Sequence, residues 1–185
     1  MNIAIGNFIG DGVKGRITEK YPPLITVGLR LHRFIDDMAD THPVNLEARK
    51  ALYPHFGKYS AVVQDMLHDH FLALHWDNYS EQDISTYLDE FYKHADRSLD
   101  IFPEHQKRFY LAMKEGNWLM NYRYLDNIER AFSGLSRRVL RPNSIHLAGQ
   151  YLRKNHSRLE AEFLIFFPIL MRASQIELDR LLTKL

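Results

Sequence analysis

The sequence predicts an all-α fold, organised as a single compact multi-helix domain over residues 1–185. Apolar residues recur at steps of three and four over most of the chain, as they do on one face of a helix. The period-two alternation of half-buried strands is absent over any useful length. No internal repeat, low-complexity tract or Gly/Ser linker divides the chain, and 185 residues suit one domain.

The first half of the chain predicts three long helices. Apolar stripes over 24–38 and 62–74 define the first two, and Pro43 closes the first segment. Ser80 is the expected N-cap of the third helix, with Glu81 in its first turn, where the helix dipole favours negative charge.

The second half predicts further helices after Pro103 and over 119–132, the latter ending around Gly134. The segment 143–185 is too long for one ordinary helix, and we expect Pro168 to kink or divide it. Together these patterns predict six to eight helices, with irregular connections at 10–23, 41–45, 76–80 and 134–143.

Composition excludes several classes of protein and site. Cysteine is absent, which excludes disulfides, thiolate nucleophiles and zinc–thiolate sites. The absence of cysteine is compatible with a reducing compartment, and we expect a cytoplasmic protein. The net charge of 24 − 23 = +1 argues against a nucleic-acid binder that relies on overall charge. No run approaches the roughly 18 apolar residues of a membrane span. Ten histidines and 23 carboxylates mean that any metal would be bound by nitrogen and oxygen.

Charge is distributed unevenly along the chain. Residues 81–104 hold seven acids and two bases, a balance of −5, whereas residues 130–159 hold seven bases and no acid, a balance of +7. Both stretches can be solvated helix faces. The basic stretch can also produce a field that steers an anionic partner.

Two helices carry ridges of histidine and carboxylate side chains. The ridge residues are His32, Asp36 and Asp40 in the first helix, and Asp65, Asp69 and His70 in the second. Spacing at i, i+4 places such side chains on one helix face, and two facing ridges would form a nitrogen/oxygen metal pocket. The alternative is that each His/Asp pair is a surface hydrogen bond. His68 and His75 lie near the second ridge. The other six histidines show no such partners and are interpreted as surface or loop residues: His42, His55, His94, His105, His146 and His156.

A glycine-rich segment, GNFIGDGVKG at 6–15, precedes the first ridge. Its glycines allow the backbone to approach another segment or a ligand closely. Asp11 is either a further metal ligand or a cap of the turn, and Lys14 is a candidate phosphate contact. Arg33, adjacent to the ridge, could clamp a phosphate or pair with a neighbouring aspartate.

These segments together resemble the acyl carrier protein phosphodiesterase family. The matching blocks are 6–15, 28–36 (GLRLHRFID) with 40–43 (DTHP), 65–72 (DMLHDHFL) with Trp76, and 118–119 with 122–123 and 134–138 (GLSRR). The blocks keep their order from residue 6 to about residue 172, which is nearly the whole chain. The family's first block has alanine and phenylalanine where this chain has Gly10 and Gly12.

The resemblance implies an atypical relative of the HD (His-Asp) metal-dependent phosphohydrolases, all-helical and associated with manganese. Mixed nitrogen and oxygen ligation leaves Fe, Mg and Zn as other candidates. It implies hydrolysis of the phosphodiester that joins 4′-phosphopantetheine to a serine of holo acyl carrier protein, which leaves the apo carrier. The metal-ligand candidates that it implies are Asp11, His32, Asp36, Asp69 and His70, with Asp40 and Asp65 as second choices.

Further roles follow from this reaction as hypotheses. Asp36, Asp40 or Asp69 would be the general base, Arg33 and Lys14 would neutralise phosphoryl charge, and a histidine such as His70 could protonate the leaving serine. Arg137, Arg138 and Arg141, in the basic stretch, would bind the acidic carrier protein. Two alternatives stay open: an HD-like phosphohydrolase of nucleotides or small phosphodiesters, and a non-catalytic helical domain that binds carrier proteins.

Overall fold

The computed structural model describes residues 1–17 and 20–185, and the described residues form helices and short 3₁₀ turns without any strand. The α-helices are α1 (Asn2–Phe8), α2 (Pro23–Thr41), α3 (Pro43–Phe56), α4 (Ser60–Leu74), α5 (Ile84–Asp96), α6 (Glu104–Glu115), α7 (Trp118–Asn121), α8 (Leu125–Arg138) and α9 (Ala148–Leu182). The predicted all-α class is confirmed. α7 is a single turn of four residues, and the other eight helices agree with the predicted number.

The chain divides into two compact units. Unit 1 comprises Met1–Ala39, Ser85–Trp118 and Ile169–Leu185, and unit 2 comprises Asp40–Ile84 and Leu119–Pro168. The single domain over residues 1–185 and its HD-like character stay predictions.

In unit 1, α1 crosses α2 at two glycines. A Cβ added to Gly28 would lie 2.2 Å from the carbonyl oxygen of Ile3 and 2.8 Å from Cα of Gly6, so only hydrogen fits there. On α2, Val27 and Leu31 pack with Leu181 of α9. This close crossing brings the residues that follow α1 against the middle of α2.

An aromatic cluster completes unit 1 around the end of α1. The ring of Phe8 packs edge-on against Phe91 and Tyr110, with centroid separations of 5.4 and 6.0 Å, and also contacts Phe102 at 5.9 Å. Tyr110 is fully buried, and its hydroxyl donates to Oδ1 of Asp96 at 2.7 Å. The polar end of the buried tyrosine is therefore satisfied, as burial requires.

Unit 2 consists of α3, α4, α8 and the part of α9 before Ile169. Its core contains Leu52, Phe56, Val63, Leu67, Phe71, Ile128, Phe132, Ile145, Ala148, Leu152, Leu159 and Phe163. Gln64 is buried beside this core and is satisfied on both sides, because it accepts from Nε of Arg49 and donates to Asn45.

The prediction that Pro168 divides the last helix is wrong. α9 runs through Pro168, and its backbone leaves helical dihedrals at Asn155 instead, with φ −119° and ψ 17°. The side-chain amide of Asn155 donates to the carbonyl of Tyr151 at 2.9 Å, which offers the backbone an alternative to the helical bond.

No described helix keeps the apolar character over the length that crossing a bilayer requires.

Three predicted boundaries also differ. The connection at 41–45 shrinks to His42, because Pro43 begins α3, a position that suits its fixed φ and missing N–H. Ser80 is not an N-cap: its hydroxyl bonds to Gln82 in a turn, and α5 begins at Ile84. α8 continues past Gly134 to Arg138, since a glycine inside a helix weakens it without ending it.

Candidate functional site

Asp11, His32 and Asp36 converge in unit 1. Nε2 of His32 lies 3.1 Å from Oδ2 of Asp36 and 3.5 Å from Oδ1 of Asp11. One ligand atom from each residue lies within 4.8 Å of the other two, and no other such group of three occurs in residues 1–17 and 20–185. The imidazole is 13% exposed, whereas the carboxylates are 75% and 56% exposed. The acidic side of this cluster is therefore open to a ligand. We call these three residues the acid–histidine cluster.

Local backbone structure accounts for the convergence. His32 and Asp36 are one turn apart on α2, and Asp11 lies in the 3₁₀ turn Gly10–Gly12 that follows α1. A Cβ on Gly10 would lie 2.2 Å from Cγ of His32, and one on Gly12 would lie 2.4 Å from Cγ of Gln106. The glycines at these positions therefore allow close packing of the turn against its neighbours.

The two carboxylates strongly favour the charged form of His32. Hydrogen bonds to Asp11 and then Asp36 raise the pKa of His32 to about 9, against an opposing effect of burial. The same contact with His32 is the main cause that lowers the pKa of Asp11, and Lys14 and His105 add smaller electrostatic contributions. In the absence of a metal, a proton on His32 thus provides the positive charge between the acids.

Arg33 and Lys14 lie on the same side of unit 1 as the turn. Nη2 of Arg33 donates to the carbonyl oxygen of Val13 at 3.1 Å and to that of Gly15 at 2.5 Å. Lys14, between these two carbonyls, is exposed, and its charge acts on Asp11. Arg33 therefore fixes the loop that carries Lys14, a role that the sequence analysis did not consider.

The second-choice residue Asp40 is held elsewhere. It belongs to unit 2, where its Oδ1 accepts from Nη1 of Arg49 at 2.9 Å. Asp65 also belongs to unit 2 and is exposed, and its charge contributes to the raised pKa of Asp69.

Asp69 and His70 are neighbours on α4 with different environments. Loss of hydration and then the charge of Asp65 raise the pKa of Asp69 to about 7, although its side chain reaches solvent. His70 is buried, Nδ1 donates to the carbonyl of Tyr122 at 2.7 Å, and Nε2 has no hydrogen-bond partner. Burial is the main cause that lowers the pKa of His70. Their role as metal ligands stays a prediction.

A histidine–glutamate network in unit 2 was not predicted. Nε2 of His75 donates to Oε1 of Glu160 at 2.7 Å, and Nδ1 of His156 lies 3.6 Å from Oε2 of the same carboxylate. The ring of His156 also packs edge-on against His70 and Phe71. The interpretation of His156 as an unpartnered surface or loop residue is therefore wrong. Its i, i+4 spacing to Glu160 was the available signal.

His105 is a second residue that sequence reasoning missed. It lies beside Gly12, and its charge contributes to the lowered pKa of Asp11. No motif marks it, because 94 residues separate it from Asp11 and only the packing of α6 against the turn brings them together.

The basic stretch is partly neutralised by acids outside it. Arg153 pairs with Asp126 and Glu129 of α8, and Arg158 pairs with Glu162. The three arginines predicted to bind a partner are all exposed. They are Arg137, Arg138 and Arg141, which we call the basic patch.

The comparisons with known proteins agree with the resemblance in the motifs. The family model described as acyl carrier protein phosphodiesterase matches residues 1–170. The chain belongs to this family. Family membership makes the protein an enzyme, a phosphodiesterase of the hydrolase class.

Curated proteins named acyl carrier protein phosphodiesterase match over most of their length. Those of Klebsiella pneumoniae subsp. pneumoniae and Yersinia pestis are 34% and 35% identical to the chain, covering 92% of it and 89% of each relative. One from Escherichia coli O157:H7 is 30% identical, covering 90% of the chain and 86% of the relative. No solved structure matches the chain.

The acid–histidine cluster fits the divalent metal that the family resemblance implies. Its donors are two carboxylates and one imidazole, a set that suits Mn, Fe, Mg or Zn. Three protein ligands leave coordination positions for a substrate, as in catalytic sites. A bound cation could replace the positive charge that protonated His32 places between the two carboxylates.

Proposed function

We propose that this phosphodiesterase hydrolyses the bond between 4′-phosphopantetheine and the carrier serine of holo acyl carrier protein. The reaction would use a divalent metal, with Mn²⁺ as the first candidate. The observation that carries the proposal is the acid–histidine cluster, in which exposed carboxylates flank a largely buried imidazole. The names of the relatives supply the substrate class. The products are the apo carrier and free 4′-phosphopantetheine.

Asp11, His32 and Asp36 would hold the cation, which supplies Lewis acidity toward a phosphoryl oxygen. His32 must lose a proton to become a ligand, because the pKa of about 9 keeps it protonated near neutral pH. Cation binding therefore competes with a proton.

Asp36, Lys14 and Arg33 have further roles in accepting a proton and in neutralising the charge of the phosphoryl group. Asp36, one of whose oxygens faces His32, has a solvent-exposed carboxylate that can accept a proton from an attacking water. The Lys14 ammonium offsets the charge of the phosphoryl oxygens, and Arg33 holds the loop of Lys14 in place through Val13 and Gly15.

The structure bears on the hypotheses for the proton donor and for the general base. His70 is buried and its lowered pKa favours the neutral ring, so it is a poor donor to the leaving serine. Asp69 has a pKa raised to about 7 but belongs to unit 2, so its role as the general base stays a hypothesis. Asp40 is a weaker candidate for the base because Arg49 holds its carboxylate.

Mass spectrometry of holo carrier protein tests the reaction. The protein with Mn²⁺ should remove the mass of the phosphopantetheine arm, and EDTA or Asp36→Ala should abolish the loss. Asp37→Ala, an adjacent acid on α2 outside the cluster, is the matched control and should retain activity. Cleavage of nucleotides or small phosphodiesters without cleavage of the carrier would instead support the alternative phosphohydrolase.

The basic patch would bind the acidic carrier protein. Reversing Arg137, Arg138 and Arg141 together to Glu should raise KM for the carrier by about tenfold, because rim charges contribute about 0.2–1 kcal/mol each. Hydrolysis of a small phosphodiester should not change. Arg172→Glu, at an exposed position outside the patch, controls for the added negative charge. An unchanged KM for the carrier would contradict this docking surface.

A further inference from the structure

Unit 1 contains an open pocket of about 520 Å³ next to the acid–histidine cluster. The loop residues 12–14, which follow Asp11 directly, form part of its wall. The segment 100–103 forms another part. This volume lies in the range of small-molecule sites, roughly 300–1,000 Å³.

The pocket is apolar inside and cationic at its edge. Tyr21 and Phe102 are each only 7% exposed, so they line the inner wall. Lys14, Arg16 and Lys20 are exposed and therefore lie toward the solvent. Of the described residues that line the pocket, only Asp100 is acidic. The pocket thus favours a ligand with an anionic end and an uncharged, partly apolar body.

We infer that this pocket binds the pantetheine arm of the carrier protein, with the phosphate end toward Lys14. The inference rests on the proposed function, which places the scissile phosphate at the acid–histidine cluster. The two substituents of that phosphate differ in size. A folded carrier protein cannot enter a pocket of about 520 Å³, whereas a flexible arm can.

The chemistry of the arm matches the pocket. Beyond its phosphate the arm is uncharged, with amide groups and a branched apolar segment. The amides can bond to exposed polar groups, while the apolar segment contacts Tyr21, Ile101 and Phe102. Lys14 lines the pocket in the loop segment 12–14 that follows Asp11 directly, which assigns the phosphate end of the arm to the Lys14 side.

Ile101→Trp, which narrows the pocket, tests the inference. Its kcat/KM for holo carrier protein should fall by about tenfold, since a blocked subsite loses at least about 1.4 kcal/mol of binding. Hydrolysis of bis(p-nitrophenyl) phosphate should persist, because that ester has no pantetheine arm. Ile176→Trp is the matched control: Ile176 is 63% exposed and does not line the pocket. An Ile101→Trp enzyme that cleaves holo carrier as well as wild type would overturn the assignment.

A binding measurement on wild-type protein keeps the test independent of the variant's folding. Titration with 4′-phosphopantetheine should shift the backbone amide signals of 12–14 and 101–102 in nitrogen-15 NMR spectra. Shifts confined to other residues, or none, would contradict the pocket assignment. If wild-type protein fails to cleave holo carrier at all, the proposed function fails, which is distinct from cleavage that Ile101→Trp leaves unchanged.

Discussion

Gly10→Ala introduces a methyl group where the imidazole of His32 now packs. The new Cβ would lie 2.2 Å from both Cγ and Cδ2 of the ring and 2.7 Å from Cβ of His32. Rotation about the Cα–Cβ and Cβ–Cγ bonds of His32 can relieve the first two contacts. It cannot relieve the third, because the backbone of α2 fixes that atom. The turn and α2 must therefore separate, which lengthens the 3.5 Å contact between His32 and Asp11.

The expected cost follows from two opposing effects. Overpacking costs about 1–3 kcal/mol, while replacing glycine by alanine restricts the unfolded chain and returns about 0.4–1 kcal/mol. We expect a net loss of about 1–2 kcal/mol in the free energy of unfolding. Urea denaturation measures this loss. An NMR titration should also show a lower pKa of His32, because its partners move away.

Gly134→Ala is the matched control, since it lies inside α8 with nothing within 4 Å of the added Cβ. It should stabilise the protein by about 0.5–1 kcal/mol. If Gly10→Ala stabilises as much as Gly134→Ala and leaves the pKa of His32 unchanged, the packing argument is wrong.

Three further predictions concern titration and ion pairing. In metal-free protein, the free energy of unfolding should decrease as pH rises from 6.5 to about 9, because the folded state loses a favourably bound proton on His32. Urea denaturation at several pH values measures this slope, and His32→Ala should lack it. Asp69→Asn should stabilise the protein above pH 7 and not below pH 3.8, because folding raises the pKa of this carboxyl from 3.8 to about 7. Glu160→Gln should cost about 1.5–3 kcal/mol by removing the charged partner of His75, whereas Glu47→Gln, in an exposed pair, should cost less than about 0.5 kcal/mol.

Helical periodicity predicted the fold class because most helices bury one apolar stripe. It placed some boundaries incorrectly where a single residue has two possible roles. Pro43 begins a helix instead of ending a segment, and Pro168 lies inside the helical stretch that follows Asn155. The actual break at Asn155 coincides with a side-chain hydrogen bond to Tyr151, which no periodicity reveals.

The candidate site was predictable to the extent that it is local. His32 and Asp36 are one helical turn apart, so their spacing alone places them together. The glycine-rich segment left Asp11 open as a ligand or a turn cap, and the family resemblance favoured the ligand. The pair between His75 and Glu160 joins residues 85 positions apart and depends on how α9 packs in unit 2. Such contacts follow from tertiary packing, which the sequence pattern does not specify.

We propose that the acid–histidine cluster binds a divalent cation that takes part in the reaction. Titration of the purified, metal-stripped protein with Mn²⁺, followed by electron paramagnetic resonance, tests it most directly. We predict that wild type and Asp37→Ala bind Mn²⁺ alike. Asp36→Ala should weaken binding by about tenfold or more, because losing even an outer partner of a metal ligand costs about 10–100-fold in affinity. Equal Mn²⁺ affinity in wild type and Asp36→Ala would contradict the claim.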